Sequence, residues 1–220
     1  MLIYRGEWQR VDKELSVTVQ YNTIRKDDEG LTIDHILGSL YFLLMSRSKQ
    51  FEVEALEFSI NSAYAALEKV KELSKAGETR PRNSIQSNWL LGAAYRARND
   101  LLQAEKHLNE ALTQDRAINS VEHEANILLD LARLRYDQKN YEEAKSLAEE
   151  ALSITERCGY VLQGADVNLF LAQYALEQEQ DKVKAKEYAE EALKLATCDG
   201  PPYYYKVAYD EAVAMLERLS

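Results

Sequence analysis

Along most of the chain, apolar residues recur three and four positions apart and do not alternate. That is the spacing of helices with one buried stripe. Only eight glycines and three prolines interrupt it, so the sequence predicts an all-α protein. A longer step runs through the same pattern. Gly92, Ala132 and Ala172 each follow a leucine and recur every 40 residues. Ala104, Ala144 and Ala185, then Ala111, Ala151 and Ala192, keep this step, stretched to 41 in the third copy by one extra residue in its turn. The phrase KNYEEAKSLAEEAL at 139–152 returns as DKVKAKEYAEEAL at 181–193.

Matched small residues have a physical reason, because a side chain larger than alanine would hold two closely crossing helices apart, at about 1–3 kcal/mol. The turns are marked as well. Asp100 three residues before Gln103, and Asn140 three before Glu143, are capping-box patterns at helix starts. Each step therefore reads as helix A, a short turn and helix B, over units 83–118, 119–158 and 159–197. Residues 1–82 read as degenerate or partial hairpins, with helices near 31–49 and 51–76 and a linker at KAGETRPRNS, where Gly77 and Pro81 interrupt helix propagation. Gly200, Pro201 and Pro202 stop the last B helix, and the amphipathic stretch within 202–220 is expected to cap the array.

WLLGAAYRARNDLLQAEKHLNEAL at 89–112 resembles a tetratricopeptide repeat, whose signature falls here on Leu91, Gly92, Tyr95, Ala104, Leu108 and Ala111. Two signature residues differ, since the first tryptophan would fall on Asn88 and the closing proline on Arg116. The second unit departs further, with Ala132 for the glycine and Arg135 for the tyrosine. The step exceeds the family's usual 34 or so residues, as in tetratricopeptide arrays of bacterial multidomain signalling proteins. CDGPPYYYKVAYDEA at 198–212 is similar to the ends of sensor arms in such proteins.

The resemblance implies a right-handed α-solenoid that binds a peptide or protein in a concave groove, as the sensor or scaffold arm of a larger signalling protein. It places Gln86, Trp89, Ala93 and Arg96 on the groove wall, then Asn126, Leu129, Arg133 and Tyr136, then Asp166, Leu169, Gln173 and Leu176. Trp89 and Tyr136 would anchor a ligand, and Arg96 and Arg133 would orient an acidic group on it. The alternative is that Trp89 and Leu129 pack against a neighbouring helix and the arginines are solvated surface. The three A helices hold no lysine, which disfavours the carboxylate clamp of chaperone-binding relatives. YRGEWQRV at 4–11 resembles an A-to-B turn, so the chain reads as starting partway through a repeat, as a piece of a longer protein would.

Charge narrows the partners. With 37 acidic and 27 basic residues the net charge is −10, which repels a phosphate backbone. RNA binding by helical repeats is therefore a lesser alternative to protein binding. Self-association through the apolar N-terminal hairpin is another. The longest apolar run, ILGSLYFLLM at 36–45, is too short to span a bilayer, and two widely spaced cysteines fit a reducing, cytoplasmic setting.

Candidate chemistry is sparse. HEANI at 123–127 begins like a zinc-protease helix, but Ile127 stands where the second ligand must be, leaving His123 as an expected exposed first-turn residue. His35 and His107 lie in other elements without ligand spacing. The glutamate pairs at 142–143, 149–150 and 190–191 read as solvated faces. Cys158 and Cys198 occupy equivalent places in neighbouring units, too far apart for a disulfide, and are expected to be buried. No phosphate-binding Gly-Lys-Ser/Thr element occurs. Neither a catalytic residue, a metal nor a cofactor is expected.

Overall fold

The computed structural model describes residues 4–47, 52–121, 123–198, 200 and 205–220. The described residues form ten α-helices and no strand, in two compact units. The N-terminal unit, Glu7–His123, holds α1 (Trp8–Arg25), α2 (Asp28–Arg47), α3 (Glu52–Lys75), α4 (Pro81–Ala97) and α5 (Leu101–Ala117). The C-terminal unit, Glu124–Ser220 with residues 4–6, holds α6 (Glu124–Asp137), α7 (Tyr141–Cys158), α8 (Val161–Tyr174), α9 (Lys182–Ala196) and α10 (Lys206–Leu219). Helix α4 packs on α5, α6 on α7 and α8 on α9; the first of each pair is an A helix and the second a B helix in the register of the repeat.

The recurring small residues lie in the interior of their units. Ala104, Ala111, Ala132, Ala144, Ala151, Ala172, Ala185 and Ala192 are fully buried. A Cβ on Gly92 would lie 2.5 Å from Leu108 Cγ and 3.1 Å from the Leu108 backbone nitrogen. At the positions equivalent to this glycine and leucine, the later repeats carry Ala132 with Ala148 and Ala172 with Ala189, all buried. One large and one absent side chain in the first pair are thus replaced by two small ones.

The turns repeat as strictly as the helices, through left-handed backbone and not through residue type. Asn99, Lys139 and Gln180, at φ 65°, 64° and 57°, each precede the first residue that caps a B helix. Asn119, Gly159 and Gly200, at φ 50°, 69° and 96°, lie in the B-helix exits. Asp100 accepts from the Gln103 N–H, and Asp181 from those of Val183 and Lys184. The capping expected at Asn140 differs: its side-chain amide donates to Glu143 Oε2 at 2.6 Å, and no backbone N–H is capped by it. The extra residue of the third unit is wound into a π-helical turn, Ala175–Glu179. Asp100 and Asn140 donate their backbone N–H to carbonyls five residues back, whereas Asp181 reaches six back to Ala175.

In the N-terminal unit, α3 packs against both α2 and α4. Pro81 opens α4 at its first position, where a missing N–H costs nothing, so the linker is 76–80 and does not extend to 84. Residues 48–51, where the expected 31–49 and 51–76 helices meet, lie outside the described residues. A polar cluster joins α3, α4 and α5, buried except at Tyr64, which is 38% exposed. Asn88 donates from Nδ2 to the Ser84 carbonyl, which turns its Oδ1 toward His107 Nδ1 at 2.9 Å. Nδ1 therefore carries the proton, and Nε2 faces the Tyr64 hydroxyl at 3.4 Å. Tyr64 and Tyr95 share a hydrogen bond of 2.9 Å. Burial pushes His107 below its ordinary range, and burial with the Tyr95 bond pushes Tyr64 up to about 12.

In the C-terminal unit, α10 packs on α9 and α8 as a terminal helix. Residues 202–204 of the expected cap lie outside the described residues.

Candidate functional site: the A-helix faces

The A helices α4, α6 and α8 are short, and their sequences combine buried leucines with polar residues one step round the helix. In α4, Gln86, Trp89 and Arg96 are half-buried and follow one another along one face, while Ala93 between them is buried. Trp89 stacks on His123, ring centroids 6.5 Å apart and planes 13° from parallel. His123 is buried and precedes α6, against the expectation of an exposed first-turn residue. The two rings are nearly parallel, and His123 is held largely out of water beside the indole.

In α6, Asn126, Arg133 and Tyr136 are half-buried, but Leu129 is only 2% exposed. In α8, Asp166 and Gln173 are half-buried, and Leu169 is buried. The two leucines belong to the packing of the C-terminal unit. The polar members form two connected groups.

The first group centres on Arg133, which donates to Asp130 at 3.0 Å and lies 3.9 Å from Asp166. Asp166 also accepts from the Tyr205 hydroxyl at 2.9 Å. The guanidinium is thus bracketed by two carboxylates of its own unit. The second group centres on Tyr136, which donates to Glu177 at 2.7 Å and accepts from Gln178 at 2.8 Å. Its ring sits among Tyr141, Phe170 and Tyr174. Burial and the Glu177 bond push the Tyr136 phenol up to about 12. Gln173 also donates to Glu177, at 3.3 Å.

Glu177, Gln178 and Glu179 come from the π-helical turn, and Glu179 accepts from both Lys145 and Lys184. Sequence reasoning did not single out these three residues. The one-residue insertion was the signal, since widening the helix rotates three consecutive polar side chains toward α6 and α7. Tyr205 was also missed, because nothing in the sequence around it marks it as buried.

Elsewhere in this unit a cleft of about 310 Å³ opens between α7, α8 and α9, lined by Leu152, Tyr160, Val161 and Leu195, with Glu156 and Glu191 also lining it. Cys158 and Cys198 are exposed, not buried as expected. They lie beyond Thr155 and Ala196, the last buried positions of their helices. Among the described residues no group of three or more His, Cys, Asp or Glu is arranged to hold a metal, and no helix is long and apolar enough to cross a membrane.

Residues 82–157 match the family model for the tetratricopeptide repeat. Among solved structures, the fold is similar to that of BtubC (BKLC) from P. vanneervenii, known from a crystal structure. The TM-score is 0.65 over 96% of this chain and 89% of that one, at 18% identity, which is a likeness of fold. No curated protein sequence matches the chain.

Proposed function

From the premise that this chain carries tetratricopeptide repeats over residues 82–157, we propose that it is a non-enzymatic module that holds a peptide or protein segment on its A-helix faces. The carrying observation is that half-buried polar and aromatic side chains occupy corresponding positions on successive A helices: Gln86, Trp89 and Arg96 on α4, and Asn126, Arg133, Tyr136, Asp166 and Gln173 on α6 and α8. Such side chains offer planar area and hydrogen-bonding tips at low ordering cost. Leu129 and Leu169 shape the faces from beneath. In this reading the module is the sensor or scaffold arm of a larger cytoplasmic signalling protein.

The geometry also refines the ligand. Arg133 is already engaged by Asp130 and Asp166, so an acidic ligand group would have to compete with two carboxylates held at 3.0 and 3.9 Å. Titration of candidate peptides into Trp89→Ala, Arg96→Ala and Arg133→Ala proteins tests the assignment, with helicity monitored in parallel. Weakened binding with helicity retained is expected, above all for Trp89→Ala and Arg133→Ala. Unchanged affinity in all three removes the A-helix faces from the account.

A second reading is favoured by one observation. Val17, Tyr21 and Ile24 form a stripe on α1 that is 58%, 55% and 82% exposed, as a helix paired with another chain would be in isolation. Sedimentation at several concentrations, with Ile24→Glu as control, separates self-association from monomeric binding.

A further inference from the structure

Residues 4–6 belong to the C-terminal unit, whereas Glu7 and the helices after it belong to the other. What holds this arm is the start of α10. Lys206 is the first residue of that helix, where a backbone N–H has no acceptor within the helix, and it donates to the Tyr4 carbonyl at 2.7 Å. The Tyr4 ring meets the Tyr205 ring edge to face, centroids 5.4 Å apart. Tyr205 is 1% exposed and tethered through its hydroxyl to Asp166, so the ring it presents is fixed.

Gly6 has φ +68°, and a Cβ there would come 3.1 Å from Lys206 Cδ. Glycine serves both the left-handed backbone and the close approach. The Lys206 ammonium is turned away to Asp210, at 2.6 and 2.8 Å, which leaves its aliphatic stem against the glycine. Three features therefore define the contact: a main-chain carbonyl on a helix N-terminus, an aromatic ring on a fixed tyrosine, and a glycine two residues later. None of them requires the arm to be joined to Glu7.

We propose that the corner formed by Tyr205 and the first turn of α10 is a docking site for a protein segment carrying an aromatic residue two positions before a glycine. The chain's own Tyr4, Arg5 and Gly6 occupy it until such a partner displaces them. The site meets the A-helix faces at the Tyr205–Asp166 hydrogen bond, but the substitutions that test it, at residues 4 and 6, lie outside those faces, so either assignment can fail while the other stands.

The test uses a fluorescein-labelled peptide of residues 1–8, MLIYRGEW, titrated by anisotropy into the wild-type chain and into the full-length Tyr4→Ala/Gly6→Val protein. A tethered arm competes at an effective concentration on the order of millimolar, so the wild type should bind the peptide at least ~10-fold more weakly than the variant. The same peptide with its tyrosine changed to alanine or its glycine to valine should not bind the variant. Hydrogen exchange gives a second readout: the Lys206 amide should be protected in the wild type, exchange faster in the variant, and regain protection when the peptide is added. Absence of saturable binding to the variant, or equal affinity for both proteins, overturns the proposal.

Discussion

The hairpins α2–α3 and α4–α5 lie in the same unit and carry nearly the same phrase, ILGSLY at 36–41 and LLGAAY at 90–95. Their glycines do different things. At Gly92 an added Cβ would collide with Leu108, backbone included, at 2.5–3.1 Å. At Gly38 it would meet Leu15 Cδ2 at 3.4 Å and Ser62 Oγ at 3.5 Å, ordinary contact distances. The longer hairpin is tied instead by a buried serine pair: Ser59 donates to the Ser39 carbonyl at 2.9 Å, and the two hydroxyls lie 3.1 Å apart. The same short phrase thus marks a steric necessity in one hairpin and a replaceable residue in the other. Likeness of sequence identifies a crossing point, and the partner across it decides what the crossing requires.

The largest effect expected along this comparison comes from Leu108→Ala, which empties a fully buried site and should cost about 2–5 kcal/mol in urea unfolding. Because the later repeats use two alanines at these positions, the Gly92→Ala/Leu108→Ala protein should lose less than the sum of its single changes. Strict additivity would dismiss the idea that the pair is exchanged as a unit.

Next in size, Gly92→Ala alone should destabilise by about 1–3 kcal/mol through overpacking, while Gly38→Ala should be neutral or stabilise by up to about 1 kcal/mol through helix propensity. Equal shifts in melting midpoint would erase the distinction between the hairpins. Ser59→Ala should then cost about 1 kcal/mol, the net worth of a buried hydrogen bond.

The seam between the hairpins can be tested with pH. His107 is held below its ordinary value by burial, with Lys106 acting in the same direction and Glu110 opposing, and it faces Asn88, Tyr64 and Tyr95. The folded state therefore prefers the neutral ring. That contribution is present above the unfolded value near 6.5 and is lost as pH falls below it toward the folded value. The melting temperature should drop more between pH 7.5 and pH 5 in the wild type than in His107→Gln. His35, also lowered by burial, remains in the variant and contributes equally to both. Smallest of all, Arg98→Ala removes the ion pair to Glu57 at 2.7 Å and should cost no more than about 1 kcal/mol, since both side chains are solvated. A loss above 2 kcal/mol would show that this pair, and not the His107 cluster, is the main tie at the seam.

Much of the repeat was legible because small residues are demanded wherever helices cross closely, and the demand recurs at a constant step. Ala104, Ala144 and Ala185 could be placed from their spacing alone. The extra residue of the third unit was also visible, though not its form as a π-helical turn that directs Glu177, Gln178 and Glu179. A helix end shorter than one turn carries no periodic signal, which is why Cys158 and Cys198 were expected inside and lie outside. His123 is buried with its ring nearly parallel to that of Trp89, 34 positions away in sequence, and no local pattern encodes such a pairing.

The amino-acid order by itself determined the helices, their pairing into units and the positions where two backbones approach, because these follow from the periodicity of apolar and small residues. Tertiary structure alone decided which polar side chains are available. Arg133 is bracketed by carboxylates from two helices, Tyr136 is fixed by a turn 41 residues away, and the carbonyl of Tyr4 accepts from the start of a helix at Lys206. Hydrogen bonds and ring contacts of this kind depend on distances between elements, and the period of a repeat specifies which faces meet without specifying what each face finds there.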